Sequence, residues 1–171
     1  MKRSFSANCR AVAVLGLVGC AERPAASFVA FERHFQGFRE WESGSFEELP
    51  ARGQTHFAGQ QRYFISAPVR TGREFPVGTL IVKQAELEAR PEGQLFAMVK
   101  RGGHYNAAGA VGWEWFELAE RDDDSVAIKW RGVSAPSGES YGSDPHGSCN
   151  SCHVDAKAND FVMSPALALR Q

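Results

Sequence analysis

Near the C-terminus of this 171-residue chain, Cys149-Asn150-Ser151-Cys152-His153 puts two thiols and an imidazole within five positions. Two cysteines separated by two residues can form thioethers with the two vinyl groups of one haem, and the adjacent histidine is then held beneath the iron as its proximal ligand. The same spacing also serves a redox disulfide or half of a zinc site. A thioredoxin-like pair would want the strand-to-helix junction of a βαβ unit, which this end of the chain lacks. A zinc site would need further ligands, and the other histidines (His34, His56, His104 and His146) are scattered. Met163 lies ten residues beyond His153, and packing against a haem or the core is a commoner role for it than axial ligation.

Thioether formation needs reduced thiols outside the cytoplasm, and the N-terminus has the form of an export signal. Lys2, Arg3 and Arg10 accompany an apolar run at 11–19 that is too short to span a bilayer. Leu17-Val18-Gly19-Cys20 then looks like a bacterial lipobox, whose small residues admit the peptidase and whose cysteine accepts a diacylglyceryl group. The simpler alternative is an ordinary secretory signal cut near Cys20 or after Ala26. The expected division is a lipoprotein signal peptide at 1–19, a tether at 20–27 and a folded haem domain at 28–171. The expected location is the periplasmic side or the outer membrane, reached through a lipid anchor, and Ala21 after the cysteine favours the outer membrane. Cleavage removes three basic residues and takes the formal charge from −1 to −4 over 152 residues, so nucleic acid is not an expected partner. The four cysteines then separate: Cys9 is discarded, Cys20 is lipidated, and Cys149 and Cys152 remain for chemistry.

The elements that must position these groups follow from periodicity and breakers. Ser27 can cap a helix carrying Phe28, Phe31, Phe35 and Phe38 on one face. From Pro50 to Gly112, glycine and proline interrupt the chain too often for long helices, which excludes a four-helix cytochrome. Short runs rich in branched and aromatic residues predict five strands, at about 61–66, 79–84, 94–100, 112–118 and 125–130. Arg121 to Asp124 reads as the turn of a hairpin, 132–148 as irregular, and Ser164-Pro165 as the start of a short helix over Ala166 to Arg170. The predicted class is α+β, mainly an antiparallel sheet of about five strands with flanking helices and a C-terminal haem-binding segment.

With these pieces in order, the chain resembles the cytochrome P-460 family, which includes the c′-beta cytochromes. The resemblance covers roughly residues 37–170. It rests on Phe38-Arg39-Glu40-Trp41, Arg62 six residues before Pro68, Phe75 to Lys83, Phe96 to Lys100, Gly112-Trp113, and the haem motif followed by Asn159-Asp160-Phe161-Val162. It implies a homodimer with one covalently bound, five-coordinate haem c per chain. It also implies that Lys83 occupies the place of the lysine cross-linked to haem in the hydroxylamine-oxidising members, and Arg62 a place near the pocket. Where those enzymes carry a distal carboxylate, the matching position here is Phe96.

A carboxylate can take protons from bound hydroxylamine, whereas a phenyl ring cannot. An apolar distal pocket at Phe96 suits NO or CO better than dioxygen, whose iron complex wants a hydrogen-bond donor. The expected function is therefore binding or redox handling of NO-like small nitrogen species, with a periplasmic redox partner. The alternatives are a hydroxylamine-oxidising enzyme with a lysine-linked haem, and an electron carrier with a filled sixth position. Glu114 and Glu117, on opposite faces of one strand, are further acids that could lie near the haem.

Overall fold

The computed structural model describes residues 26–48, 59–68, 71–87, 90–139 and 148–170. The expected signal peptide, Cys20 and most of the tether lie outside these residues. Six strands form one antiparallel up-and-down sheet in chain order: β1 (Glu42–Glu48), β2 (Gly59–Ile65), β3 (Leu80–Leu87), β4 (Arg90–Lys100), β5 (Trp113–Glu120) and β6 (Val126–Gly132). With its short helical segments the chain has a mainly-β α+β fold. The sixth strand relative to the sequence reading is β1. Its Glu-Ser-Gly-Ser-Phe-Glu-Glu sequence carries no apolar alternation to announce it.

Strand alternation gives the sheet two apolar faces. On the first, Phe64, Val82, Leu95, Ala97, Val99, Phe116 and Leu118 meet Phe35 and Phe38 from the N-terminal segment. The aromatic spacing there does not produce an α-helix. Two 3-10 turns, Glu32–His34 and Phe38–Glu40, are separated by Gly37 at φ 66°, a left-handed position that ends the first turn. Phe35 and Phe38, on either side of Gly37, are buried together while Phe31 stays 48% exposed.

The second face carries Tyr63, Ile65, Ile81, Met98, Trp115 and Trp130, covered by Phe75 and by Phe161, Val162 and Leu167 of the C-terminal segment. Its register aligns two adjacent rows across the strands. One row runs Tyr63, Lys83, Phe96, Glu117, Trp130, and the next runs Ile65, Ile81, Met98, Trp115, Gly132. A bulge opposite Glu117 and Leu118 keeps both Trp130 and Ile128 paired.

The C-terminal segment crosses this second face as a single-turn helix α1 (Cys149–His153), a 3-10 stretch Val154–Asn159 and a 3-10 turn Pro165–Leu167. The expected helix over Ala166 to Arg170 is thus shorter and tighter. Arg170 instead bridges Thr71 in parallel, which ties the chain end to the loop after β2.

Candidate functional site

Helix α1 begins where Ser151 folds back on Ser148: its hydroxyl accepts from the Ser148 N–H at 2.7 Å and donates to the Ser148 carbonyl at 2.9 Å. Cys149 and Cys152, three positions apart on this turn, lie on one side of it. Both are half-buried and not joined in a disulfide. Burial pushes the Cys149 thiol up to about 11, only partly offset by its backbone hydrogen bond and the positive charge of Lys83. Redox-active cysteine pairs depend on the opposite, a thiol held low enough to ionise near neutrality.

His153 is oriented by one bond. Its Nδ1 lies 2.6 Å from the carbonyl oxygen of Phe161, which can only accept. Nδ1 therefore carries the proton of the neutral ring, and the lone pair sits on Nε2, the nitrogen left to ligate a metal. Burial pulls the ring down to about 4 against the raising effect of the Phe161 bond, and the charge of Lys83 adds to the lowering, so the imidazole is neutral at ordinary pH. Trp115 packs against it, with ring centroids 4.6 Å apart.

The residue that follows Cys149 fixes the helix to the sheet. Asn150 Oδ1 accepts from Asn106 Nδ2 at 2.8 Å, Trp115 Nε1 at 2.9 Å and the Ala110 N–H at 3.2 Å. Its Nδ2 donates to Asn106 Oδ1 and to the Val133 carbonyl, both at 3.0 Å. Trp115 Nε1 and a backbone N–H can only donate, so the amide orientation is set by its partners. Gly109 lets the loop between β4 and β5 close on this amide, because a Cβ there would fall 2.2 Å from Asn150 Cγ.

Lys83 and Phe96 face this segment from the sheet. They are direct cross-strand partners, with Lys83 Nζ 5.8 Å from the Phe96 ring centroid, and the Lys83 charge is felt at both Cys149 and His153. The structure thus gathers Cys149, Cys152, His153, Lys83 and Phe96 at one face. It does not bring Arg62 to them. Arg62 pairs with Gln84 on the opposite face, its guanidinium 5.3 Å from the Phe64 ring centroid, because its parity along β2 differs from that of Tyr63, the partner of Lys83. Glu114 is also on that other face, held bidentately by Arg131 at 2.7 and 2.8 Å. Met163 is 43% exposed, and His104 is exposed in its loop.

Glu117 is the acid on the site face. It is buried beside Phe96 in the same row and accepts from Trp130 Nε1 at 2.7 Å, Gln94 Nε2 at 2.9 Å and Lys129 Nζ at 3.0 Å. A wholly apolar surface around Phe96, as the sequence suggests, is therefore interrupted one strand away. Of the two acids singled out on this strand from the sequence, Glu117 is the one the register brings to the site face; no local motif marks Asn150 or Trp115.

Two unlinked thiols, an imidazole with Nε2 available and an aromatic face suit a covalently held haem. Among the described residues, no three His, Cys, Asp or Glu side chains form a group that could hold a metal by themselves. No helix among the described residues is long and apolar enough to cross a membrane. Compared with known proteins, the chain matches no family model, no curated protein and no solved structure.

Proposed function

We propose that this chain is an exported, lipid-anchored monohaem c-type cytochrome, similar to the cytochrome P-460 and c′-beta proteins, that binds or redox-processes NO-like small nitrogen species. The observation that carries the reading is the His153 arrangement: a neutral ring, its Nδ1 proton committed to Phe161, directly following two unlinked thiols on one turn. Haem, when bound, supplies an iron that takes up small ligands and exchanges single electrons. Cys149 and Cys152 would hold the haem through thioethers, and His153 would offer Nε2 to the iron. Phe96 gives the site an apolar wall, while Trp115 and the Asn150 network hold the ligand helix still. Burial keeps His153 neutral, and the charge of Lys83, inward on the same face, adds to that effect.

One observation favours the hydroxylamine-oxidising alternative. Glu117 is a buried carboxylate beside Phe96, and Lys83 lies in the same row, so an acid-base group and a lysine both reach the site face. The electron-carrier alternative would need a sixth ligand, and of the methionines Met98 packs between Ile81 and Trp115 while Met163 is exposed. Homodimerisation and a periplasmic redox partner belong to the same proposal.

Optical spectra of the purified protein test it. Covalently retained haem with high-spin, five-coordinate iron in both ferric and ferrous states is expected. Low-spin, six-coordinate spectra in both states would refute it in favour of the electron carrier. Mass spectrometry of haem peptides then separates the remaining readings: a Lys83 peptide travelling with the Cys149 peptide supports hydroxylamine oxidation, and its absence removes it.

A further inference from the structure

Behind the bond that orients His153 lies a buried ion pair. Lys100 Nζ lies 2.6 and 2.8 Å from the two carboxylate oxygens of Asp160, and both side chains are at least nine-tenths buried. The Asp160 Oδ2 also accepts from the Phe75 N–H at 2.8 Å. Two other charged or aromatic groups approach Lys100: Glu74 at 3.9 Å, mostly exposed, and the Trp113 ring at 5.2 Å. A buried pair of this kind is weak evidence for stability, since its desolvation offsets much of its attraction. Its position suggests another role.

Asp160 and Phe161 are consecutive non-glycine residues in the left-handed region, at φ 49° and 67°. Such conformations persist only where surrounding structure over-determines them. Here the Phe161 N–H is tied to the Ala156 carbonyl at 2.9 Å and the Phe161 ring is buried in the site-face cluster. The Asp160 carboxylate is fixed from the sheet end by Lys100 and Phe75. The product of the turn is the Phe161 carbonyl, brought 2.6 Å from His153 Nδ1.

We propose that Lys100 and Asp160 are positioning residues for the metal-ligating histidine: their ion pair locks the left-handed turn that aims the Phe161 carbonyl at Nδ1. The bond sets the ring's tautomer and raises the donor strength of Nε2, as carbonyl and carboxylate partners do for metal-bound histidines generally. The inference rests on the haem reading for its consequence at iron, but not for the tautomer.

The test uses the full exported chain from a host that attaches c-type haem. In Asp160→Asn the Phe75 bond and the left-handed preference survive but the charge is lost. The double variant Lys100→Met/Asp160→Asn leaves no unpaired buried charge and so guards against misfolding. Lys100→Arg retains the pair. In the ferrous protein the iron–histidine stretching band should move to lower wavenumber in the first two, with a more positive reduction potential, and return towards wild type in Lys100→Arg. An unchanged band and potential in a folded charge-removing variant would overturn the proposal. So would a wild-type band no higher than that of a haem carrying an imidazole without a hydrogen-bond partner, whichever variants fold. Should the purified chain hold no haem, the haem reading fails separately. Imidazole nitrogen shifts at neutral pH then decide the positioning role: an Nδ1-protonated ring in wild type and a mixed tautomer in Asp160→Asn support it, and identical spectra overturn it.

Discussion

Asn150, directly after the first cysteine of the pair, offers the sharpest quantitative test. Asn150→Ala removes five hydrogen bonds at once. The cost depends on which partners stay buried. Val133 is exposed and regains water, so its loss contributes little. Trp115, Ala110 and Asn106 are at most 9% exposed, and their donors and acceptor are left unsatisfied. A buried polar group deprived of its partner costs about 1–3 kcal/mol, and Asn106 keeps a bond to the Trp113 carbonyl, so the low end applies to each. The sum is about 3 kcal/mol, a large part of the ~5–15 kcal/mol that holds a typical domain together. For a chain of this size that predicts a fall in Tm of roughly 6–12 °C. Thermal and urea denaturation followed by circular dichroism would read it, with the midpoint moving at unchanged m-value. A loss under about 1 kcal/mol would show that α1 is not anchored through this amide, and would leave the thiols and imidazole without the rigid support argued above.

Gly109→Ala should cost about 1–3 kcal/mol by overpacking against Asn150, and most of that cost should vanish in the Asn150→Ala background; additive losses in the double-mutant cycle would refute the contact. Lys129 is raised by its bonds to Glu139 and Glu117, so its folded value lies above its unfolded one. The stabilisation is complete below about pH 10 and lost as pH rises through the folded value. Wild type should therefore lose its Tm advantage over Lys129→Met as the pH rises above the ordinary lysine value of about 10.4, and parallel curves would contradict the linkage. Phe96→Glu places a second carboxylate in the row beside Glu117; on the proposed haem reading it should change NO or CO affinity on the order of tenfold, because an ionised carboxylate, which can only accept hydrogen bonds, would replace the apolar wall facing the ligand, and unchanged affinity would assign Phe96 to the core alone.

Local chemistry and strand parity were readable from the sequence, whereas long-range register was not. The thiol and histidine spacing needs no fold to be recognised, and the strands β2 to β6 declared themselves by alternation of residues such as Thr79, Ile81 and Lys83 with Leu80 and Val82. The Phe35 to Phe38 spacing was equally consistent with α and 3-10 turns, and only Gly37, adopting a left-handed backbone, decides between them. Arg62 differs because its place relative to Lys83 depends on how β2 is registered against β3, and one residue of shift would have moved it to the other face. The partners of Asn150 lie 17 to 44 positions away, so nothing nearby in the chain announces its role.

A helix of five residues cannot hold itself together in water, because nucleating one turn costs more than its few hydrogen bonds return. Helix α1 persists because its side chains are bonded into structure formed elsewhere: Asn150 to the β4–β5 loop and to Trp115 of β5, and His153 to a turn that the sheet fixes through Lys100. None of these bonds involves the thiols. The two sulfurs and the imidazole are therefore placed relative to one another by the polypeptide's own contacts, and burial keeps Cys149 a protonated thiol. If a haem is held here as proposed, these contacts of the folded chain meet part of the entropy of ordering its ligand set. They also separate two kinds of damage. On the proposed haem reading, substituting one cysteine should leave at most a single thioether while leaving the imidazole in place, whereas loosening Asn150 or the Asp160 turn should leave the thiols reactive and disorder the histidine.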